Sequence, residues 1–329
     1  MTRILTGDRP TGPLHIGHYV GKIVPTLAAL EHADEAYVMV ADYHAFTTHY
    51  LEPLSVRDAV EEMVIDYLAA GIDPEKHVVF VQSQVPEHLE LAYLLGALTP
   101  VSHLERVPTY KEKIQETGRP PTFALLGYPV LMASDIMVYR GDTVPVGDDQ
   151  VPHLEFTREV VRRFNQAYGF DFPEPQPYLS HVPRLAGLDG EHKMSKSLHN
   201  QIDLRMSAEE TEARVTQMVT DPQRVRKSDP GRPEVCPAHQ YYEAFVPEEA
   251  EDIATQCRGA AVGCVACKSR LAGRINDYFR EHRARRAEIA SRSGYVKQVL
   301  HEGGIAARKT ARRTLDEVHA KLGISRLGH

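Results

Sequence analysis

A doubly wound parallel α/β sheet followed by an all-helical domain is the fold the sequence predicts, and three observations predict it. Short β-rich runs alternate with helical stretches through the first half of the 329-residue chain. A stretch from about Pro86 to Tyr128 breaks that alternation, as an insertion between two halves of a sheet would. Beyond Asn200 the strand signals stop and helical spacing takes over.

Taken in order, Arg3–Gly7 (RILTG), Ala36–Asp42 (AYVMVAD), His77–Ser83 (HVVFVQS) and Thr143–Gly147 (TVPVG) read as buried strands. Residues 55–71 (SVRDAVEEMVIDYLAAG) carry an N-cap serine, helical spacing of apolar residues and a terminal glycine, and read as a helix. Strands alternating with helices require crossover connections, hence a parallel sheet. Ser207–Asp221 and Arg274–Arg292 read as helices of the second domain. No internal repeat or low-complexity tract is present.

Composition is that of an ordinary globular chain, 42% hydrophobic and 25% charged. No apolar run approaches the ~20 residues that span a bilayer, and the N-terminus lacks a signal-peptide pattern. No membrane association is expected, and the cytoplasm is the expected location. The net charge of −7 argues against wholesale wrapping of nucleic acid such as DNA. It hides an asymmetry, because residues 268–313 hold 13 Lys/Arg against 4 Asp/Glu, a local balance of +9. That run is either a solvated helical face or a surface that tracks phosphate.

In a doubly wound sheet, ligands sit beyond the carboxyl ends of the strands. GDRPTGPLHIGHY follows the first strand, and Gly7, Gly12 and Gly17 permit tight turns and close approach to a ligand. A helix starting near Ile16 would turn its first N–H groups toward a phosphate. His15 and His18 could ligate a metal or donate to phosphate oxygens. No further ligands stand at zinc-site spacing, so phosphate is the better reading. HKMSKS, His192–Ser197, is by itself either an exposed basic turn or a second phosphate contact.

Together the two segments resemble the HIGH (His15-Ile16-Gly17-His18) and KMSKS (Lys193-Met194-Ser195-Lys196-Ser197) signatures of class I aminoacyl-tRNA synthetases. The resemblance covers nearly the whole chain and is specifically to bacterial tryptophanyl-tRNA synthetases. It is carried by TGDRPTGPLHIGHYVGK, VADYHAFT, GYPVLMASDIMVY, VPVGDDQVPHLEFTREVVRRFN and HKMSKS. Arg9 stands where glutamine is common in the family, and HIGH is complete where many members end in asparagine. GDRPTG is similar to an auxiliary branch of these enzymes.

The resemblance implies a Rossmann-like catalytic domain over 1–199, with the insertion at a homodimer interface. It implies a helical anticodon-binding domain over 200–292, and C-terminal helices over 293–329 packing back toward the catalytic domain. It implies ATP and Mg²⁺, L-tryptophan and tRNA(Trp), with activation to an adenylate followed by transfer to the terminal ribose 2′-OH. His15, His18, Lys193 and Lys196 would be catalytic. Arg9, Pro10, Thr11, Gly17, His18, Gly147, Asp148, Asp149, Leu185, Met194, Ser195 and Ser197 would surround ATP with the two lysines. Lys111 and Lys113 either add a phosphate contact or form a solvated stretch. Asp135 would accept the indole N–H, His44 and Met132 would line the apolar pocket, and Tyr128 and Gln150 would hold the substrate amino group. Other readings of Asp135 are an N-cap or an ion pair with Arg140, and His44 is equally a core histidine. A tyrosyl-tRNA synthetase and a non-charging tryptophan-binding paralogue are the alternative functions.

All four cysteines fall in one window, Cys236, Cys257, Cys264 and Cys267, spaced C-x20-C-x6-C-x2-C. A disulfide framework does not suit a cytosolic enzyme, and four thiolates fit structural zinc or an iron–sulfur cluster. A subset of bacterial tryptophanyl-tRNA synthetases carries a 4Fe–4S cluster on a very similar pattern. That resemblance favours the cluster over zinc.

Overall fold

The computed structural model describes residues 1–118, 120–147, 150–179, 185–195 and 198–324. Strands β1 (Arg3–Asp8), β2 (Glu35–Val40), β3 (Val78–Val81), β4 (Thr143–Val146) and β5 (Gln176–Leu179) form one sheet in the order β3-β2-β1-β4-β5. Every neighbouring pair runs parallel, with Leu5 opposite Tyr37 and Thr143 opposite both Ile4 and Gln176. β1 is central, so the chain winds outward first to one side and then to the other. Segments leaving β1, β2, β3 and β4 therefore emerge along one edge, where such sheets place their ligands.

The first four strands stand where the apolar runs predict them; β1 runs one residue further, and β2, β3 and β4 end one or two residues early. β5 was not expected. Its residues are exposed or half-buried and include Pro177, so it shows neither the apolar run nor the alternation of a strand.

Helix α1 (Asp42–His49) follows β2, and α2 (Pro53–Ala70) ends on Gly71, whose φ of 112° only glycine adopts without strain. The insertion is helical, with α3 (Glu87–Gly96), a short turn Val101–Leu104 and α4 (Pro108–Thr117). Helix α5 (Phe123–Val138) leads into β4, and α6 (Val151–Tyr168) leads toward β5. Further along lie α7 (Ala208–Thr216), α8 (Pro237–Phe245), α9 (Pro247–Arg258), α10 (Cys264–Tyr278), α11 (Arg280–Ser291) and α12 (Tyr295–Leu322). Ser207 caps α7 in a reciprocal box with Glu210. The single helix expected over 274–292 is two helices, broken at Phe279, whose buried ring packs on Tyr19, Phe245 and Tyr278.

The chain divides into two compact units. One comprises Met1–Gly12, Pro25–Ser180 and Arg292–His329; the other comprises Pro13–Val24 and His181–Ser291. The first holds the sheet, and its core joins Leu5, Tyr37, Phe80, Leu91, Ile136 and Phe164 to Leu315 and Val318 of α12. Helix α12 lies on the edge strand β3 so closely that a Cβ on Gly303 would stand 1.8 Å from the Val79 carbonyl oxygen. Only glycine fits there. The second unit is helical and packs Tyr241, Tyr242, Leu271, Ile275 and Phe279 as its core. The basic run 268–313 spans the boundary at residue 292, so it is not one continuous helical face. Within the second unit several of its side chains serve internal contacts. Lys268 donates to the Thr216 and Met218 carbonyls, Arg270 and Arg274 share Glu249, and Arg283 binds Thr211.

Candidate active site

In the sheet-bearing unit the site is built around Asp135. Tyr128, Met132 and Asp135 recur at i, i+4 and i+7 along α5, which places them on one face. Thr122 caps this helix by accepting from the Leu125 N–H, so Asp135 lies in the helix interior and is not an N-cap. Arg140 does not pair with it either; its guanidinium binds Asp171 and Glu317.

Asp135 is 2% exposed, and a buried carboxylate without donors would cost several kcal/mol, about 3–5 when a partner is removed. It has three donors. His44, on α1 beyond β2, approaches Oδ2 through Nε2 at 2.7 Å. Gln82, just beyond β3, donates its side-chain N–H to Oδ1 at 2.8 Å. His88, on α3, approaches Oδ1 through Nδ1 at 2.6 Å. Burial pushes the carboxyl up, but His44 and His88 outweigh it, and the group is held below the usual carboxylate range. An ionised carboxylate offers about four lone-pair positions. Two donors on Oδ1 and one on Oδ2 leave room for one more at Oδ2.

His44 is therefore not a plain core histidine: its ring N is bonded to this acid. Tyr128 joins a second cluster, in which its hydroxyl, Thr109 Oγ1 and His153 Nε2 are mutually hydrogen-bonded. Burial pushes the Tyr128 phenol up, while the Thr109 bond and the Arg9 charge act against it. Met132 is half-buried against the core, and Gln150 opens α6 with its N–H on the Gly147 carbonyl. After β1, Arg9, Pro10 and Thr11 make a tight turn in which the Thr11 N–H returns to the Arg9 carbonyl and Gly12 adopts φ 120°.

The HIGH and KMSKS segments both belong to the second unit. The expected helix at Ile16 is three residues long and continues into a π-helical turn, Tyr19–Ile23. His15 Nδ1 accepts from the His18 N–H at 3.2 Å, and His18 Nδ1 accepts from the His15 N–H at 3.4 Å. The two rings stack at 3.7 Å. Because both Nδ1 atoms accept, each ring carries its proton on Nε2, so both rings are Nε2–H donors. The segment is pinned through the Ile16 N–H on Ile202 and the Leu204 N–H on Leu14. Gly17 lies against the Met194 thioether, a prospective Cβ being 3.4 Å from Sδ. One unit thus brings the two signatures together.

Asn200 shapes the second signature, and sequence reasoning missed it. Its side chain accepts from the Ser195 N–H at 2.7 Å and donates to Asp189 and to the Lys193 carbonyl. A Cβ on Gly187 would sit 2.1 Å from its amide nitrogen. Lys193 is exposed, Met194 and Leu185 are buried, and Asp148, Asp149, Lys196 and Ser197 lie outside the described residues. Lys111 lies on α4 beside Tyr110 and Ile114, lining a cavity in the insertion.

The four cysteines are half-buried, none is in a disulfide, and all belong to the second unit. Cys236 precedes α8, Cys257 lies in the last turn of α9, and Cys264 and Cys267 occupy the first turn of α10. Arg224 donates to Cys257 Sγ at 3.6 Å and to Cys264 Sγ at 3.9 Å. A Cβ on Gly231 would lie 2.4 Å from Cys257 Sγ, so glycine is required beside the thiols. Burial, and then the charges of the other three thiols, push Cys267 up to about 12. The four are near neighbours, although among the described residues no three His, Cys, Asp or Glu side chains converge as a closed metal site.

Residues 1–280 match the family described as tRNA synthetases class I (W and Y). The chain is 46% identical to the tryptophan–tRNA ligase of Thermotoga maritima, over 98% of this chain and 99% of that one. It is 42% identical to the tryptophan–tRNA ligase of Treponema pallidum, over 99% and 98%. It is similar in structure to the tryptophanyl-tRNA synthetase of Campylobacter jejuni, solved with ADP and tryptophan, at a TM-score of 0.87 and 32% identity over 98% and 100% of the two chains. The chain belongs to the class I tRNA synthetases for tryptophan and tyrosine, and among them to the tryptophan–tRNA ligases.

Proposed function

We propose that Asp135 selects tryptophan in this tryptophan–tRNA ligase by accepting the indole N–H at Oδ2. The observation that carries the reading is the buried carboxylate, anchored by three donors and left with capacity for one more. His44 and Met132 bound the ring, and Tyr128 and Gln150 hold the amino group. A site built on a required hydrogen bond rejects analogues lacking it by ~10⁴ or more. A phenol is not excluded by charge, but its hydroxyl projects from a smaller ring and would have to reach the same Oδ2.

Activation joins the tryptophan carboxylate to the α-phosphate of ATP and expels pyrophosphate, with no protein nucleophile. Positioning and charge stabilisation supply the rate. His15 and His18 donate from Nε2 to phosphate oxygens, and Lys193 and Lys196 follow the charge that moves onto pyrophosphate. Arg9, Pro10, Thr11, Gly17, Gly147, Asp148, Asp149, Leu185, Met194, Ser195 and Ser197 bound the nucleotide. Mg²⁺ would share the phosphate charge while keeping most of its waters.

Residues 1–199 carry activation, 200–292 read the anticodon of tRNA(Trp), and 293–329 complete the catalytic domain. Cys236, Cys257, Cys264 and Cys267 hold a 4Fe–4S cluster, or failing that zinc, which braces the anticodon-reading unit. Support lies in the donor set, four soft thiols gathered from three segments beside an obligatory glycine. The enzyme is a cytoplasmic homodimer, with the insertion at its interface. Large apolar side chains there, Leu89, Tyr93, Val101 and Phe123, are exposed. Among the described residues no helix is long and apolar enough to cross a membrane.

The test is direct because the chain contains no Trp. The fluorescence of added tryptophan reports binding without protein indole background. Saturable binding that Asp135→Asn weakens supports the reading; equal binding by both proteins contradicts it.

A further inference from the structure

We propose that His88 is a positioning residue for tryptophan selection: it occupies Oδ1 of Asp135 and so directs the substrate N–H to Oδ2. The proposal rests on Asp135 being the indole acceptor. His88 has no solvent exposure, and both ring nitrogens are engaged. Nδ1 lies 2.6 Å from Asp135 Oδ1, and Nε2 lies 2.8 Å from the Tyr139 hydroxyl. An ionised carboxylate only accepts, so Nδ1 carries a proton; in the neutral ring Nε2 then accepts and Tyr139 donates to it. With a neutral ring the chain from Tyr139 through His88 to Asp135 has one polarity.

The chain is also held in place. Ser134 Oγ donates to the His88 carbonyl at 2.6 Å, next to Asp135 on the same helix. The Tyr139 ring stacks on Tyr37 at 4.2 Å, and Phe80 packs beside both His88 and Tyr139. Gln82, itself fully buried, adds a second donor to Oδ1. Two donors saturate Oδ1, which fixes the rotation of the carboxylate and presents Oδ2 to the substrate. Without His88 the carboxylate can rotate toward its remaining partners, and its open acceptor position is no longer defined. His88 touches no substrate in this account; it acts through Asp135.

The experiment compares kcat/KM for tryptophan with that for 3-benzothienylalanine, in which sulfur replaces the indole N–H, by ATP–pyrophosphate exchange. The ratio isolates the hydrogen bond, since both side chains fill the pocket alike. In His88→Leu the ratio should fall about tenfold or more, through the KM for tryptophan, with little change for the analogue. His88→Asn, which retains an N–H near the Nδ1 position, should recover most of it. Tyr139→Phe removes one oxygen and should lower the ratio in the same direction by a smaller factor. Equal losses for both substrates in His88→Leu, with the wild-type ratio kept in Tyr139→Phe, would overturn the proposal. If His88→Leu does not fold, Tyr139→Phe decides, and an unchanged ratio there is the refutation. Asp135→Asn separates the two readings. A wild-type ratio in that variant rejects Asp135 as acceptor. A ratio lost there but kept in the His88 and Tyr139 variants rejects only the role of His88.

Discussion

Replacing Asp135 with Asn exchanges one acceptor oxygen for a donor inside a cluster whose hydrogen bonds are all known. The amide oxygen belongs at the Oδ1 position, where His88 and Gln82 both donate. The NH₂ group then takes the Oδ2 position beside His44 Nε2. His44 can receive that N–H by carrying its own proton on Nδ1. The cluster thus remains satisfied after a single tautomer change, and circular dichroism should be unchanged. What is lost is the acceptor at Oδ2, where an N–H would now face the indole N–H. A hydrogen bond to a charged group is worth about 1.5–3 kcal/mol. At ~1.4 kcal/mol per decade, kcat/KM for tryptophan in ATP–pyrophosphate exchange should fall about 10- to 150-fold. The stability difference from wild type has a defined pH dependence. Asp135 is depressed in the folded protein by His44 and His88 against its burial. Its contribution is therefore present above the unfolded value of about 3.9 and is lost as pH falls below it. A folded variant with wild-type kcat/KM for tryptophan would show that Asp135 is not the indole acceptor.

Asn200→Ala removes three contacts that shape the Lys193–Ser195 turn. It should lower kcat for exchange at least tenfold while leaving tryptophan fluorescence titrations unchanged; parallel loss of binding would contradict this. Gly303→Ala places a Cβ 1.8 Å from the Val79 carbonyl oxygen, so α12 must lift off β3. Urea unfolding should show a loss of about 1–3 kcal/mol or more, and wild-type stability would show that the contact is slack. Protein purified anaerobically should contain about four iron and four sulfide per chain. Cys264→Ser and Cys267→Ser should each lower that content, impairing tRNA charging more than exchange. One zinc would replace the cluster on the same ligands, and freely alkylated thiols in metal-free protein would remove both.

What could be read from the chain follows from how local each signal is. Strands β1 to β4 are apolar runs bounded by turn residues, and their burial on both faces makes them visible. β5 pairs with β4 at the sheet edge, where burial imposes no pattern. The two signature segments are contiguous and carry their chemistry within a few residues, so they are legible directly. Asp135 stood out as a charge within an apolar helix. Its partners did not: Gln82 and His88 sit in VQSQVPEHLE, a sequence that reads as an ordinary strand end and helix start. They become a site only when β3 and α5 are packed together. Asn200 is hidden for the same reason, because its role is to bond backbone groups five and seven residues away and the Asp189 carboxylate eleven residues away. The basic run shows the reverse case, since charge adjacent in sequence is divided between two compact units.

On the proposed reading this site activates tryptophan through a buried acceptor for its indole N–H. Steady-state ATP–pyrophosphate exchange with purified full-length protein, run with saturating ATP and either tryptophan or tyrosine, tests it most directly. Exchange should depend on tryptophan, with kcat/KM at least ~10³-fold lower for tyrosine. Equal exchange with the two amino acids, or none with tryptophan, would contradict it.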